Sequence, residues 1–416
     1  MKVTPMTTVV RADLLIDGTG AAPIKDAVLV IEAGLIGDVF EGRLPEGRVP
    51  EGTETLDLRG CTVLPGLIDT HVHLNMPGDG SMLEVVVRET DGVLVATSVL
   101  AARRALDAGI TTVRDVGGAR RTVFDARRAL ELGHGHGARI LACGQPITIT
   151  GGHTWYFGGE ADGEEGLRVK VREMAKLGAD FIKVMASGGG TVNTMSWLPS
   201  YSPRELAALV DEAHRQGRKI TAHCLCAEST NWVVDAGFDG IEHGGFLVNK
   251  AGHQEYVPAT ADKVARAGIP VTSTLAVGGF TLKAMRAIEH RTPAEQFVLD
   301  RWLRMFDENL FQFRSMREAG VIWVAGTDAG WRFTTIEGLP LEFELMQQGG
   351  FSALEAITSG TGLAARVLGI EEKVGTLKPG MIADVIAVAG NPLDDLSRLG
   401  DIRMVMQGGQ IRKRVS

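Results

Sequence analysis

Six residues whose side chains can bind metal ions or react near them occur at the ends of successive apolar runs. The six are His71, His73, Lys183, His223, His243 and Asp328. The first two lie in a stretch that is apolar and then abruptly polar, and residues two apart in a strand point to the same side. We therefore expect His71 and His73 to bind one metal ion together.

Lys183 and Asp328 each allow two interpretations. A charged lysine inside a protein is costly, so Lys183 is either part of a buried ion pair or a carbamate formed with CO2, whose two oxygens could bridge two cations. Asp328 follows the last apolar run. It could bind a metal ion and accept a proton from water, or it could cap the next helix.

His223 and His243 end consecutive apolar runs. Either histidine alone would be typical of a satisfied core residue, but the pair at neighbouring strand ends favours metal ligation. Histidine, lysine carbamate and aspartate suit zinc or its first-row neighbours. We expect two divalent ions with zinc as the metal, although the ligand order does not choose between zinc, manganese and cobalt.

The elements that must position these residues are alternating strands and helices. Eight apolar runs occur near 63–70, 110–116, 139–143, 181–186, 219–224, 239–243, 270–275 and 321–327. Ser202-Pro203-Arg204-Glu205 predicts a helix start with a capping box. The pattern predicts an α/β fold, a (β/α)8 TIM barrel over residues 63–372, whose chemistry lies at the C-terminal ends of its strands.

Both ends of the chain are rich in short predicted strands, and neither end is long enough to fold alone. Gly408-Gly409 adds a hairpin signal near the C-terminus. We therefore expect residues 1–62 and 373–416 to form one composite β-sandwich.

Composition limits the classes of function. The chain has 416 residues and a net charge of −8, which argues against nucleic acid and anionic membrane partners and leaves a small-molecule substrate. Cys61, Cys143, Cys224 and Cys226 do not form a disulfide framework. With no apolar signal core near the N-terminus, we expect a cytoplasmic protein. Assembly into a homo-oligomer stays open.

Taken together, these motifs resemble the amidohydrolase superfamily, in the branch near imidazolonepropionase and the Xaa-Pro dipeptidases. The matching stretches are Pro65–Leu74, Gly109–Asp115, Gly151–His153, Asp180–Gly189, Thr221–His223, Ile241–Gly244, Gly326–Gly330 and Lys378–Asp384. Superfamily deaminases usually carry His-x-x-Glu at the fifth strand, whereas Cys226 stands three residues after His223. That departure argues against a one-metal deaminase, as does Lys183.

The resemblance implies a role for each candidate. His71, His73 and Asp328 would hold the more buried metal ion. His223 and His243 would hold the second ion, and carbamylated Lys183 would bridge the two. A hydroxide between the metals would attack a carbonyl, with Asp328 as general base and acid.

The resemblance also implies substrate contacts. His153 matches a residue expected to polarise the substrate carbonyl, and Tyr201 one expected to contact a substrate carboxylate. Trp155 and Arg332 lie in aromatic segments that we expect over the barrel mouth, with Arg332 or Tyr201 facing an anionic group. Three alternatives stay open: His153 packs a loop, Tyr201 staples a helix start, and the aromatic rings pack loop against loop.

Three functions are compatible with these residues. The leading prediction is a binuclear metal-dependent amidohydrolase that cleaves an amide C–N bond in a dipeptide or N-acyl amino acid. The alternative uses the same metal centre on a cyclic amide, carbamate, urea, ester or xenobiotic, because fold alone does not decide the substrate. A scaffold that has lost its activity would be expected to lack ligands, and all six are present.

Overall fold

The chain folds into parallel strands that alternate with helices, beside a second sheet built from both chain ends. The computed structural model describes residues 7–81 and 86–415. The strands are β1 (Thr7–Leu15), β2 (Ile24–Glu32), β3 (Leu35–Glu41), β4 (Glu54–Pro65), β5 (Leu67–Val72), β6 (Ile110–Asp115), β7 (Arg139–Ala142), β8 (Phe181–Met185), β9 (Lys219–Cys224), β10 (Gly240–His243), β11 (Val271–Thr272), β12 (Trp323–Val324), β13 (Val385–Ala389), β14 (Ile402–Gln407) and β15 (Gln410–Arg414).

Helices follow most of the parallel strands. Those of seven or more residues within the described ranges are α1 (Asp91–Asp107), α2 (Thr122–Glu131), α3 (Gly163–Leu177), α4 (Pro203–Arg215), α5 (Ala227–Ala236), α6 (Pro258–Ala267), α7 (Leu275–Arg286), α8 (Pro293–Glu318), α9 (Leu339–Gln348), α10 (Ala353–Ser359) and α11 (Gly362–Leu368). None of the helices in residues 7–81 and 86–415 is both long and apolar enough to cross a lipid bilayer.

The strands β5 to β12 are parallel and lie in two sheets, β5-β6-β7 and β8-β9-β10-β11-β12. Backbone hydrogen bonds join the sheets at both edges. The Ile147 amide donates to the Lys183 carbonyl at 2.8 Å, and the Asp328 amide donates to the His71 carbonyl at 2.8 Å. Each of the eight predicted apolar runs overlaps a strand. The α/β class is therefore confirmed.

These strands are largely buried because helices cover the outer face while side chains fill the inner one. Every residue of β5, β6 and β8 is buried. The predicted capping box at the start of α4 is also confirmed. Ser202 Oγ accepts the Glu205 amide proton, and Glu205 Oε2 lies 2.9 Å from the Ser202 amide.

Strands from both chain ends form one seven-stranded sheet in the order β15-β14-β13-β4-β1-β2-β3. The hairpin signal at Gly408-Gly409 lies between β14 and β15, as expected. The sheet has an apolar core of its own, which includes Leu29, Leu56 and Met404. Because β4 continues to Pro65 and β5 begins at Leu67, this sheet anchors the strand that carries His71.

A buried carboxylate also ties the terminal sheet to the parallel strands. Asp384 Oδ2 lies 2.8 Å from Arg139 Nη1 on β7, and Asp384 Oδ1 accepts the Gly408 amide proton at 2.8 Å. The Asp384 side chain is almost fully buried, whereas Arg139 is partly exposed. One residue therefore links three segments of the chain.

Replacing this carboxylate should destabilise the protein. We expect Asp384→Asn to lower the free energy of unfolding by about 1–3 kcal/mol, because the hydrogen bond from Arg139 loses its charged acceptor. Urea denaturation measures the change. Asp57→Asn is the control, since the Asp57–Arg59 pair lies exposed on one strand, and its midpoint should stay at the wild-type value. Equal midpoints for both variants would contradict this account.

Candidate metal centre

The six candidate ligands meet in one cavity of about 560 Å³ at the C-terminal ends of the parallel strands. His71, Lys183, His223 and His243 lie within β5, β8, β9 and β10, and Asp328 follows β12 by four residues. Because all eight strands are parallel, their C-terminal ends face the same side. Sequence positions more than 250 residues apart thereby come within reach of one another.

The histidines of β5 are oriented from behind. His71 Nδ1 lies 2.9 Å from Glu242 Oε2, and His73 Nδ1 lies 2.9 Å from the Gly117 carbonyl oxygen. Both partners are hydrogen-bond acceptors, so we assign the proton of each imidazole to Nδ1. Each Nε2 then presents a lone pair to the cavity.

Both lone pairs face the same carboxylate oxygen. Asp328 Oδ1 lies 3.5 Å from His71 Nε2 and 3.3 Å from His73 Nε2. This oxygen is buried and accepts no hydrogen bond from the described residues. His71, His243 and Asp328 also offer ligand atoms within 4.8 Å of one another. Buried acceptors that converge in this way fit a cation, which would offset their mutual repulsion.

The other two histidines extend the cluster away from β5. The rings of His71 and His243 are 4.8 Å apart, and those of His243 and His223 are 4.7 Å apart. His243 Nδ1 is hydrogen-bonded to Thr274 Oγ1 at 2.8 Å. His223 Nε2 instead lies 3.2 Å from the Gly188 carbonyl oxygen. His223 therefore lies beside the group of His71, His243 and Asp328 rather than within it.

Burial keeps several of these side chains uncharged. It lowers the pKa of His71 to about 4, and it lowers the pKa of His223 and His243 well below the usual value. It also lowers the pKa of Lys183, which is 1% exposed. A neutral imidazole can bind a metal ion, and a neutral amine can react with CO2. The lowered pKa values of His71, His223, His243 and Lys183 thus favour the uncharged forms that these two reactions need.

The backbone at two candidate ligands is strained. Asp328 and His243 have φ angles of +57° and +70°, a region that side-chain-bearing residues seldom occupy. Asp69 holds the first of these segments in place: its carboxylate accepts protons from the Thr327 hydroxyl at 2.6 Å and the His71 amide at 3.1 Å. The strand β5 and the loop before Asp328 are therefore fixed relative to each other.

His153 lies at the edge of the cluster, in the cavity and almost fully buried. Its ring centre is 4.6 Å from that of His223, and its Nδ1 lies 2.8 Å from Thr191 Oγ1. A Cβ atom on Gly189 would come within 2.4 Å of the His153 ring. The loop after β8 therefore needs glycine at position 189 to admit this imidazole.

The remaining predicted contacts separate into two groups. Arg332 lines the cavity, as does its neighbour Trp331. Tyr201 lies in the main hydrophobic core, and its hydroxyl donates to the Ala161 carbonyl at 3.1 Å. Trp155 is 40% exposed and packs edge-on against Tyr156. The structure thus brings Arg332, but neither Tyr201 nor Trp155, to the described lining of the cavity.

Several positioning residues were missed from sequence. Glu242 is fully buried and contacts His71 Nδ1, Arg114 Nη2 at 2.7 Å and Thr221 Oγ1 at 2.6 Å. Glu242 and Arg114 are charged residues on strands that are almost entirely buried. A charged residue within a strand that is buried on both faces is the signal that could have identified them.

Fold and geometry together define the class of protein: an α/β protein with a candidate metal centre at the C-terminal ends of its parallel strands. The amidohydrolase family matches residues 62–412. The chain belongs to this family, and it is a hydrolase that acts on carbon–nitrogen amide bonds.

Individual relatives cover nearly the whole chain. The ochratoxinase of Aspergillus niger is 29% identical over 451 residues, which cover 98% of this chain and 86% of that protein. An imidazolonepropionase of Rhizorhabdus wittichii is 27% identical, with 88% and 89% covered. A solved Xaa-Pro dipeptidase with methionine bound in its active site is 29% identical, with a TM-score of 0.84 and 98% and 100% covered. The predicted resemblance is confirmed.

Removing the Glu242 carboxylate should weaken metal binding. We expect Glu242→Gln to lower the affinity for divalent zinc about 10- to 100-fold, because an uncharged amide holds the Nδ1 proton of His71 less strongly than the carboxylate does. Competition with a chromophoric chelator measures the affinity. Glu228→Gln, on an exposed position of α5, is the control and should bind zinc like the wild type. Wild-type affinity in Glu242→Gln would refute the assigned role.

Proposed function

We propose that this protein is a binuclear metal-dependent amidohydrolase that cleaves the amide bond of a dipeptide or an N-acyl amino acid. The observation that carries the proposal is the convergence of His71 Nε2 and His73 Nε2 on Asp328 Oδ1, a buried oxygen without a hydrogen-bond donor among the described residues. The cavity in front of it has room for a small substrate.

Two divalent ions, expected to be zinc, fit the donor set in this proposal. His71, His73 and Asp328 would hold one ion, His223 and His243 the other, and a Lys183 carbamate would bridge them. When bound, the ions supply Lewis-acid polarisation of a carbonyl and lower the pKa of water. We also infer that β5 to β12 close into a (β/α)8 barrel spanning residues 63–372, with residues 1–62 and 373–416 as the second unit.

The chain's own groups would move the proton. Asp328 accepts a proton from the attacking water at its carboxylate and passes it to the leaving nitrogen. Although burial raises the pKa of Asp328, positive charge at the surrounding histidines lowers it overall, and a cation held by His71 and His73 would supply that charge. Asp328 is therefore ionised at neutral pH and able to act as the base.

His153 would bind the substrate carbonyl oxygen. Thr191 Oγ1 accepts the Thr154 amide proton at 3.0 Å, so its own hydroxyl proton can be donated to His153 Nδ1. The imidazole proton then lies on Nε2, where it can be donated to an oxygen that gains negative charge. Burial lowers the pKa of His153 to about 3, which keeps the ring neutral at physiological pH.

The relatives support the substrate class. A Xaa-Pro dipeptidase with bound methionine and an ochratoxinase are both similar to this chain over 98% of its length. Arg332 lines the cavity and offers a positive charge for a substrate carboxylate. The competing proposal is that the same metal centre acts on substrates without a carboxylate, namely cyclic amides, carbamates, ureas, esters or xenobiotics.

Removing Lys183 should abolish hydrolysis. We expect Lys183→Ala to lose activity and part of its bound metal, because the bridging oxygens are gone, and short carboxylic acids with added metal should restore part of the rate. Rate assays and elemental analysis provide the readouts. The control is Lys176→Ala, because Lys176 is exposed on α3. This variant should keep the wild-type rate and metal content. A fully active, fully metallated Lys183→Ala would exclude the carbamate bridge.

A substrate screen tests the function itself. Zinc- and manganese-loaded protein should hydrolyse dipeptides and N-acyl amino acids, and cleavage should require a free carboxylate. The comparison panel contains cyclic amides, carbamates, ureas and aryl esters. Turnover confined to that panel would leave the metal mechanism intact and reject the dipeptide or N-acyl amino acid assignment.

A further inference from the structure

One face of α8 forms a wall of the cavity, a feature that the sequence did not reveal. Phe297, Arg301 and Met305 recur every four residues along this helix, and all three line the cavity together with Trp302. Residues four apart lie on the same side of a helix. The wall therefore extends along two helical turns and combines apolar, aromatic and cationic side chains.

The cavity carries positive charge apart from its candidate metal ligands. Lys250, Arg301 and Arg332 line it from three different segments of the chain. Among the described lining residues, Asp328 alone carries a carboxylate, and it faces His71 and His73. The chain as a whole has a net charge of −8. The cavity that a substrate would enter is thus lined by positive charge although the chain as a whole is negative, as expected for a site that attracts anions.

The two arginines are held in defined positions. The guanidinium carbon of Arg332 lies 5.0 Å from the ring centre of Trp302, a cation–π contact. Arg301 Nη2 donates to the Lys250 carbonyl at 3.2 Å. Arg332 also has a left-handed backbone with φ of +51°, a strained conformation that is common at functional sites. These contacts restrict where both cations can point.

The two positive charges influence each other. Burial lowers the pKa of Arg332, the Asp328 carboxylate raises it, and the charge of Arg301 lowers it, so that the net shift is downward. Placing like charges together costs free energy, and an anion bound between them would offset that cost. A planar carboxylate matches the geometry of a guanidinium, which can donate two parallel hydrogen bonds to it.

We propose that Arg301 and Arg332, aligned by Trp302, bind the free carboxylate of the substrate and make α8 the wall that selects it. The inference rests on the proposed function, since a dipeptide or N-acyl amino acid carries a carboxylate on the nitrogen side of the scissile bond. It assigns the contact expected of Tyr201 to Arg301, a residue on a different element.

A matched substrate pair tests the proposal. N-acetyl-L-phenylalanine and N-acetyl-L-phenylalaninamide differ only in whether the carboxylate is free, and release of the α-amine reports deacetylation of both. With zinc-loaded wild-type protein, we expect the carboxylate substrate to have the lower KM. Arg301→Gln should raise its KM about 10- to 100-fold with little change in kcat, and should leave the KM of the carboxamide unchanged.

Arg304→Gln is the matched control. Arg304 lies on the same helix and donates to the Ala251 carbonyl at 2.9 Å, but it is not among the residues that line the cavity. Its kinetic constants should equal those of the wild type for both substrates. Melting temperature and zinc content, measured for each variant, separate a lost contact from a disturbed fold.

The outcomes separate the two proposals. Suppose that the wild type hydrolyses the carboxylate substrate, and that Arg301→Gln affects both substrates equally or neither. This result would overturn the assignment of Arg301 and leave the proposed function standing. Turnover of only the carboxamide would overturn the proposed function as well. If neither substrate is cleaved, calorimetric titration with L-phenylalanine and L-phenylalaninamide tests the carboxylate site. Arg301→Gln should weaken the binding of L-phenylalanine and leave that of L-phenylalaninamide unchanged. Equal weakening for both ligands, or no weakening for either, refutes the carboxylate site.

Discussion

Buried hydrogen-bond acceptors that point at one another are the constraint on which the site depends. His71 and His73 donate their Nδ1 protons to acceptors behind them and turn lone pairs towards Asp328 Oδ1. A folded chain holds such an arrangement only if strong contacts elsewhere fix it and a cation offsets the repulsion. Strained φ angles at Asp328 and His243 show that the backbone is fixed at the same place.

The scaffold supplies those fixing contacts from several directions. The terminal sheet continues through β4 almost directly into β5, so the strand that carries His71 is anchored outside the parallel strands. Asp69 clamps β5 to the loop before Asp328, while Arg114 and Thr221 hold Glu242 against His71. The buried Glu242 carboxylate is paired with the Arg114 guanidinium, which is the condition for tolerating charge in an apolar interior. Stability and site geometry thus depend on the same residues.

The sequence was sufficient for the parallel strands and for candidate residues that line one cavity, because hydrophobic period and position at the end of an apolar run can be read locally. It predicted the runs that became β5 to β12 and the helix start at Ser202. It was insufficient for residues whose role depends on long-range packing. Tyr201 had a motif match but lies in the core, and Arg301 and Trp302 had no motif yet line the cavity, because the placement of α8 over the mouth is set by tertiary contacts.

The most direct test of the account is anomalous diffraction from crystals of zinc-loaded protein, with data collected on both sides of the zinc absorption edge. The account predicts a zinc peak bounded by His71, His73 and Asp328, and a second peak beside His243 on the Lys183 side. Fully occupied zinc elsewhere on the chain, with neither peak in this cavity, would contradict the claim that these converging acceptors form a metal centre.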